Sequence, residues 1–274
     1  MTRADLFRLI QDRGSYLCVG LDIDLDKIPA SLKDSAPDPL WEFNRRIIDA
    51  TRPFCVAYKP NLAFYEALGL PGWALLQKTI DYIGDTHFVI ADAKRGDIGN
   101  TSRLYARAFF ETMACDAVTV APYMGADSVQ PFLGFPGKWA IVLALTSNPG
   151  SADFQFEPME NGLPLYLKVL EKAATWGSPD ELMFVVGATH PAQFEAIRRV
   201  VPAHFLLVPG VGAQGGDLQQ ISTYGWNEYG GLLVNASRSI LYAGDGADFA
   251  EKAAEEARRM QVEMAAFIRS RSVG

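Results

Sequence analysis

The sequence is poor in cysteine and histidine. Its 274 residues contain three of each, and the cysteines (Cys18, Cys55 and Cys115) are far apart, in or beside apolar runs. No close pairing of Cys with His supplies the ligand spacing of a dedicated zinc site, so we expect no metal site. An odd, scattered set of cysteines also does not suit a disulfide framework. We therefore expect reduced, buried thiols in a cytoplasmic protein.

Long apolar runs and an excess of positive charge are also missing. No stretch approaches the roughly 20 apolar residues that span a bilayer, and residues 1–12 mix charged with apolar side chains, unlike a secretory signal. The 25 Lys and Arg against 32 Asp and Glu give a net charge of −7. This acidic balance disfavours non-specific binding to nucleic acid or to an anionic membrane. With 49% hydrophobic and 21% charged residues, the composition is that of a globular protein.

Short apolar runs rich in Val, Ile, Phe and Leu recur along the whole chain. Such runs, continuous rather than alternating, are typical of parallel strands that are covered on both faces. We predict eight strands, at residues 16–23, 55–61, 87–94, 117–122, 139–145, 182–189, 204–210 and 230–236. The segments between them predict helices that include residues 39–50, 71–83, 100–113, 163–176, 191–201 and 247–269.

Eight strand–helix pairs in 274 residues, about 34 residues per pair, predict an α/β fold in which residues 1–274 form a single (β/α)8 TIM barrel. The active site of such a barrel lies at the C-terminal ends of its strands. A doubly wound open sheet is the alternative, because strand count alone does not exclude it. Residues 146–162 form the longest stretch without a helical pattern, and their position after the fifth strand favours a lid.

Charged residues are concentrated at the end of the third strand. Asp92 and Lys94 are two apart, so strand alternation predicts that they face the same way, and Asp97 follows just past the strand. Lys59 ends the second strand and is expected to reach the same cleft. A purely structural ion-pair cluster is the competing interpretation. Buried ion pairs stabilise proteins poorly, however, so four such charges favour a functional site.

The ends of the seventh and eighth strands predict an anion site. Residues 210–217 include four glycines, which allow backbone N–H groups to approach a ligand closely. Arg238 follows the eighth strand and offers a forked, charged donor, while Gln214 offers a neutral one. Barrels of this type commonly bind phosphate after strands seven and eight. The glycines alone are equally consistent with simple turns, so Arg238 strengthens the prediction.

Residues 92–101 resemble the Asp-x-Lys-x-x-Asp-Ile signature of the orotidine 5′-monophosphate (OMP) decarboxylases. The resemblance covers almost the whole chain, because the other motifs follow in the family's order: residues 20–22, Lys59, residues 147–150, residues 209–217 and Arg238. Residues 58–61, the Ser-Asn-Pro-Gly sequence at 147–150 and the length resemble the longer bacterial type.

The resemblance implies a barrel that converts OMP to uridine 5′-monophosphate (UMP) and CO2, the last step of de novo pyrimidine nucleotide synthesis, without a metal or organic cofactor. It implies that Lys94 protonates C6 of the base, within a charged array with Lys59, Asp92 and Asp97. It also implies a homodimer in which Asp97 and Thr101 reach the partner's site. The implied substrate contacts are Asp22, Lys59 and Thr101 for the ribose, Ser147 for the pyrimidine amide edge, Ile98 and Pro209 for the base pocket, and Gln214 and Arg238 for the phosphate.

The chain departs from the family pattern at Ser237, where many members have Gly, and residues 152–162 match no motif. Two other functions are compatible with a barrel of this kind. One is a Mg²⁺-dependent sugar-phosphate decarboxylase or synthase of the same suprafamily, which the ordered motif set disfavours. The other is a catalytically silent nucleotide-binding barrel, which would have no need for the four charged residues.

Overall fold

In a computed structural model, which describes residues 1–188, 193–211 and 217–272, eight parallel strands close into a barrel. The strands follow one another around the barrel in sequence order. This order confirms the predicted (β/α)8 barrel. It excludes the doubly wound open sheet, because the strand order of that fold reverses at a switch point.

Each predicted strand is present, with bounds that differ from the prediction by a few residues. The strands are β1 (Leu17–Leu21), β2 (Ala57–Pro60), β3 (Phe88–Arg95), β4 (Ala117–Val120), β5 (Trp139–Leu145), β6 (Leu182–Val186), β7 (Phe205–Pro209) and β8 (Leu232–Ala236). Every residue of β1, β4, β6 and β8 is buried, as expected for continuous apolar runs covered on both faces.

The helices lie between the strands and at both ends of the chain. They are α1 (Arg3–Arg13), α2 (Ala30–Ser35), α3 (Pro39–Thr51), α4 (Leu62–Glu66), α5 (Leu70–Ile83), α6 (Gly99–Arg107), α7 (Ala126–Val129), α8 (Leu165–Ala173), α9 (Gln193–Val200), α10 (Leu218–Gly225), α11 (Arg238–Leu241) and α12 (Phe249–Ser272). A π-helical turn, Ala108–Thr112, continues α6, and short 3₁₀ helices occupy Gly84–Thr86, Gln130–Phe132 and Pro149–Asp153. Residues 146–162 thus contain a 3₁₀ helix, although they carry no sequence pattern of an α-helix.

Local sequence explains where several helices begin. Proline is the first residue of α3, and the Asp38 carboxylate accepts a hydrogen bond from the Trp41 N–H at 3.3 Å. The Asp217 carboxylate likewise accepts hydrogen bonds from the N–H groups of Gln219 and Gln220, at 2.8 and 3.1 Å. Such caps satisfy N–H groups that have no partner within the helix.

The chain divides into two compact units. The first, called here the 94–234 unit, comprises Met1–Phe7 and Lys94–Val234, and the second, the 8–93 unit, comprises Arg8–Ala93 and Asn235–Gly274. The organisation of residues 1–274 as one domain stays a prediction.

In the 8–93 unit, β1 pairs with β2 and places Gly20 opposite Lys59. Helix α12 packs against α3, where the rings of Phe249 and Phe43 stack at 5.1 Å. The buried residues of α12 include Phe249, Ala253, Ala257, Met260, Met264 and Ile268. Cys18 and Cys55 are free, buried thiols in this unit, as predicted.

In the 94–234 unit, β4, β5, β6 and β7 pair in parallel. Trp139 is fully buried, and its indole Nε1–H donates to the Met1 carbonyl at 2.9 Å. Cys115 is free and buried, also as predicted. Across the described ranges of the chain, no helix is both long enough and apolar enough to cross a membrane.

Candidate active site

A buried ion pair joins two of the predicted site residues. Lys59 lies in β2 and Asp92 in β3, and they are 4% and 9% exposed. The Lys59 Nζ donates to Asp92 Oδ2 at 2.7 Å. Register explains the contact, because Tyr58 pairs with Val89 and Asn61 forms an isolated bridge with Asp92. Lys59 is thus offset from Asp92 by about two positions, within reach of a lysine side chain.

Electrostatics keeps the Lys59 ammonium charged. Burial lowers the pKa of this group, but the carboxylates of Asp92 and Asp22 and the hydrogen bond to Asp92 outweigh burial, so the pKa is raised. Lys59 therefore remains a cation throughout the neutral range. A buried cation next to a buried carboxylate can contact both a polar ligand and the acidic group beside it.

Asp22 follows β1 and is half-buried. Within the described residues, its Oδ1 atom is buried and has no hydrogen-bond partner. A buried acceptor of this kind is costly unless a donor binds it. The backbone around it is fixed by Tyr242, whose hydroxyl donates to the Asp22 carbonyl and accepts from the Asp24 N–H, both at 3.0 Å.

Lys94 occupies an unusual backbone conformation. Its φ is +47°, and among the described residues the only other non-glycine residue with positive φ is Ala114. A left-handed residue costs roughly 1–2 kcal/mol, and such strain tends to occur at functional sites. The Lys94 N–H donates to the Thr119 hydroxyl of β4 at 2.9 Å, which holds this conformation. Strand alternation assumes an extended backbone, so the left-handed turn, rather than alternation, sets the direction of Lys94.

Two members of the predicted four-charge array, Lys59 and Asp92, form the buried ion pair. Of the other two, Lys94 is exposed and Asp97 is half-buried. The Asp97 Oδ1 accepts from the Ile98 N–H at 2.8 Å, and the Asp97 carbonyl accepts from the Ser102 hydroxyl at 2.6 Å. These bonds fix Asp97 at the start of α6, where Ile98 and Thr101 are exposed.

Ser147 lies at the start of the segment after β5 and is half-buried. Gln155 closes this segment, because its Oε1 accepts from the Thr146 N–H and its Nε2 donates to the Thr146 hydroxyl, both at 2.8 Å. The Thr146 hydroxyl in turn donates to Asn148 Oδ1 at 2.6 Å. Gly187 lies on the other side of Ser147, where a Cβ would be only 2.8 Å from the Ser147 nitrogen. The hydrogen bonds of Gln155 thus fix the residue before Ser147, and Gly187 packs closely against the Ser147 backbone.

Of the predicted phosphate-binding segments, the structure describes Pro209, Gly210 and Arg238. Pro209 ends β7 and is half-buried, and Gly210 follows with φ +96°, as expected for a turn that needs glycine. Arg238 begins α11, is exposed, and makes no ion pair with any residue that the structure describes. Gln214 lies outside the described residues.

Two of the three histidines, His87 and His204, are buried. His87 precedes β3, and its Nε2 lies 2.9 Å from the Arg52 carbonyl oxygen. His204 precedes β7, and its ring packs at 5.3 Å from that of Phe184. Burial lowers the pKa of both imidazoles to about 4, so both are neutral at pH 7. His190 lies outside the described residues.

Sequence reasoning missed several residues that support the site. Thr119 was visible as the one polar residue of β4, but its contact with Lys94 depends on the packing of β4 beside β3. Gln155, Gly187 and Tyr242 carry no local signal, because each acts on backbone that is distant along the chain. In the parts of the chain that the structure covers, no group of three or more His, Cys, Asp and Glu is arranged to hold a metal ion.

Comparison with known proteins identifies the family. The family model for "Orotidine 5'-phosphate decarboxylase / HUMPS family" matches residues 15–253. The chain is 57% identical over 274 residues to the orotidine 5'-phosphate decarboxylase of Flavobacterium johnsoniae, covering 99% of this chain and 100% of that one. It is 55% identical over 267 residues to the enzyme of the same name from Phocaeicola vulgatus, covering 96% and 98%.

A solved structure agrees in both sequence and fold. The OMP decarboxylase of Leishmania donovani superposes with a TM-score of 0.80 at 37% identity, covering 96% of this chain and all of that one. The sequence match and the structural match each extend over nearly the full chain, and both agree with the motif order found in the sequence. The chain therefore belongs to the orotidine 5'-phosphate decarboxylase / HUMPS family.

Proposed function

We propose that this chain decarboxylates OMP to UMP and CO2, the last step of de novo pyrimidine nucleotide synthesis. The observation that carries the proposal is the buried Lys59–Asp92 ion pair, two residues before Lys94. Removing this pair from water costs more than a stabilising role would justify, so a chemical role explains it better. Two relatives that match at 55% and 57% identity over 98% and 100% of their length are named orotidine 5'-phosphate decarboxylase, which supports OMP as the substrate.

In the proposed mechanism, the bond between C6 of the base and the carboxylate breaks, and its electron pair remains on C6. Lys94 supplies the proton: the ammonium N–H bond breaks, a C6–H bond forms, and CO2 leaves. The lysine then regains a proton from water. A cation fixed beside the developing negative charge stabilises the transition state without reorganisation, which is commonly the largest catalytic contribution. The left-handed backbone of Lys94 supports this role, because it fixes where the side chain begins.

The carboxylates of the array have complementary roles in this mechanism. Asp92 lies next to the substrate carboxylate, so a like-charge repulsion is relieved as CO2 leaves. Lys59 keeps Asp92 ionised through the 2.7 Å ion pair. The partner subunit's Asp97 completes the array around the Lys94 ammonium.

The remaining residues bind the parts of the substrate that do not react. Asp22, Lys59 and Thr101 bind the ribose, and the buried, unpartnered Oδ1 of Asp22 is suited to accept from a hydroxyl. Ser147 binds the amide edge of the pyrimidine, and Ile98 and Pro209 line its pocket. Arg238 and Gln214 bind the phosphate. Binding energy from the phosphate can order the loops after β5 and β7 around the reacting group.

The proposed enzyme is a homodimer in which Asp97 and Thr101 serve the partner's site. Exposed apolar side chains around the start of α6 support this assembly. Ile98 is 55% exposed and Tyr123 is 99% exposed, and Leu104, Tyr105 and Met124 are also exposed. Exposed apolar clusters of this kind mark interaction surfaces. Dimerisation would cover them and bring Asp97 to the neighbouring subunit.

The proposed reaction needs no metal or organic cofactor, because the lysine ammonium supplies both the proton and the stabilising charge. We expect it to take place in the cytoplasm. The test is to add OMP to the purified protein in excess EDTA and to follow the ultraviolet absorbance of the base. Conversion in EDTA supports the proposal. A requirement for Mg²⁺ with sugar-phosphate substrates would favour the other branch of the family, and tight UMP binding without turnover would favour a silent binder.

A further inference from the structure

Ser237 is the residue before Arg238, which begins α11. Its side chain packs against Gly20 of β1. A Cβ built on Gly20 would be 1.8 Å from Ser237 Oγ and 2.9 Å from Ser237 Cβ. These distances are far below van der Waals contact, so the Ser237 side chain occupies the space that the missing Gly20 side chain leaves. Neither residue can be enlarged while the other stays in place.

A second polar residue closes the same space. Asn235 of β8 is only 6% exposed, and its Nδ2 donates to Ser237 Oγ at 3.4 Å. Its Oδ1 would be 3.2 Å from a Cβ on Gly20. Asn235 therefore lies beside Ser237 Oγ and narrows the space into which this hydroxyl could move. Gly20 is also constrained, because it pairs in register with Lys59 of β2.

The backbone after Ser237 is anchored as well. The Ser237 carbonyl accepts from the N–H groups of Ile240 and Leu241, at 3.0 and 2.9 Å, and both of these side chains are fully buried. Displacement of Ser237 would thus be transmitted to the first residue of α11, which is Arg238.

We propose that Gly20 and Ser237 form a size-matched pair that positions Arg238, and that both are positioning residues for the substrate phosphate. The proposal rests on the phosphate-binding role of Arg238 in the proposed function. It explains why the two residues differ in size: the small residue of the pair is in β1, and the larger one precedes the arginine. It also predicts that combining Gly20→Ala with Ser237→Gly restores the fit, because the larger residue then lies in β1 and the smaller one precedes the arginine.

The test compares Gly20→Ala, Ser237→Gly and the double variant for UMP affinity by calorimetry, kcat and KM on OMP, and Tm. Gly20→Ala should weaken UMP binding at least tenfold through the clash, with the loss mainly in KM. Ser237→Gly should weaken it about threefold, because the gap frees Arg238. The double variant should return to within about threefold of wild type. Arg238→Ala sets the scale for complete loss of the contact.

Gly72→Ala in α5 is the matched control, because its Cβ would also be 1.8 Å from another atom, the Tyr65 carbonyl oxygen. It should lower Tm and leave UMP affinity unchanged. Additive losses in the double variant, or a recovery of Tm without recovery of UMP affinity, would overturn the positioning role. If Gly20→Ala does not fold, the comparison rests on the other two variants, and weaker binding by the double variant than by Ser237→Gly counts against the proposal.

The wild-type protein separates this inference from the function on which it rests. If it neither converts OMP nor binds UMP, the proposed function fails, and the positioning role fails with it. If it does both and Gly20→Ala binds UMP as tightly as wild type, only the size-matched pair is rejected.

Discussion

At the residue scale, Lys94 is distinguished by both its side chain and its backbone. A lysine with φ +47° has given up a relaxed conformation, and the Thr119 hydroxyl bound to its N–H offsets part of that cost. The strain concerns only the backbone of Lys94, whereas the ion pair of Lys59 and Asp92 buries two charged side chains of β2 and β3. Both features are expensive for stability, and each includes a residue of the motif at 92–101.

Lys94→Ala should lower kcat on OMP by at least ~10³-fold, because it removes both the proton donor and the stabilising charge. The thermal stability of the variant should match that of wild type, since the side chain is exposed and alanine tolerates the left-handed backbone no worse than lysine does. Steady-state kinetics and thermal unfolding measure the two effects. Lys168→Ala on the exposed face of α8 is the control and should retain full activity. A Lys94→Ala enzyme with more than a tenth of wild-type turnover would refute the proton-donor role.

His204 predicts a pH dependence of stability. Burial, followed by the charges of Arg198 and Arg3, lowers its folded-state pKa to about 4, below the unfolded value of about 6.5. The folded state is therefore favoured fully above pH 6.5, and this contribution is lost as pH falls from 6.5 towards 4. Between pH 7 and pH 5 the loss is about 2 kcal/mol in the free energy of unfolding.

His204→Phe tests this contribution, because neither imidazole nitrogen has a hydrogen-bond partner among the described residues. Urea unfolding at pH 7 and pH 5 should give a smaller decrease for the variant than for wild type, by about 2 kcal/mol. His87 remains in both proteins, so its own contribution cancels in the comparison. Equal decreases in the two proteins would mean that His204 is not the group that titrates.

At the scale of elements, the segment after β5 is a constrained loop rather than an open one. Gln155 binds both the backbone and the side chain of Thr146, and the 3₁₀ helix Pro149–Asp153 lies between them. The segment also forms an isolated bridge between Pro158 and Pro164. Through Gln155, this arrangement ties residues 152–162, which match no family motif, to Thr146, the residue before Ser147. A lid function for the whole segment stays a prediction.

Gln155→Ala should raise KM for OMP roughly tenfold, because two hydrogen bonds worth about 1 kcal/mol each no longer hold the backbone next to Ser147. Hydrogen exchange of the Thr146 amide should accelerate in the same variant. Gln155→Glu keeps the acceptor for that amide and loses only the donor, so its effect should be intermediate. Gln77→Ala on α5 serves as a surface control. An unchanged KM with accelerated exchange would separate the loop from substrate binding.

At the scale of the whole molecule, the proposed sharing of Asp97 between subunits predicts complementation between inactive variants. Lys94→Ala and Asp97→Ala subunits are mixed and allowed to exchange. In a mixed dimer, one site then carries both lesions and the other carries neither. Random 1:1 pairing makes about half of the dimers mixed, so about a quarter of wild-type activity should return. Differently tagged subunits establish that exchange has taken place. Mixed dimers that stay at the parental activity would mean that Asp97 serves its own chain.

The sequence by itself determined the elements and the family. Continuous apolar runs and the polar residues that follow them are local patterns, so strand bounds were predicted to within a few residues and the barrel followed from their number. The motif from Asp92 to Thr101 is contiguous, and the other motifs keep their order whatever the distances in space. The predicted homodimer and the individual substrate contacts rest on the resemblance, since no local pattern encodes a neighbouring subunit.

Tertiary structure decided what depends on register and packing. Strand register brings Lys59 Nζ to Asp92 Oδ2, and alternation along one strand does not specify that contact. Lys94 departs from alternation because its left-handed backbone is held by Thr119, a residue of the next strand. Ser237 fits only because Gly20, more than 200 positions earlier, has no side chain. In each case the deciding partner is distant in sequence, so the contact exists only when the chain is folded.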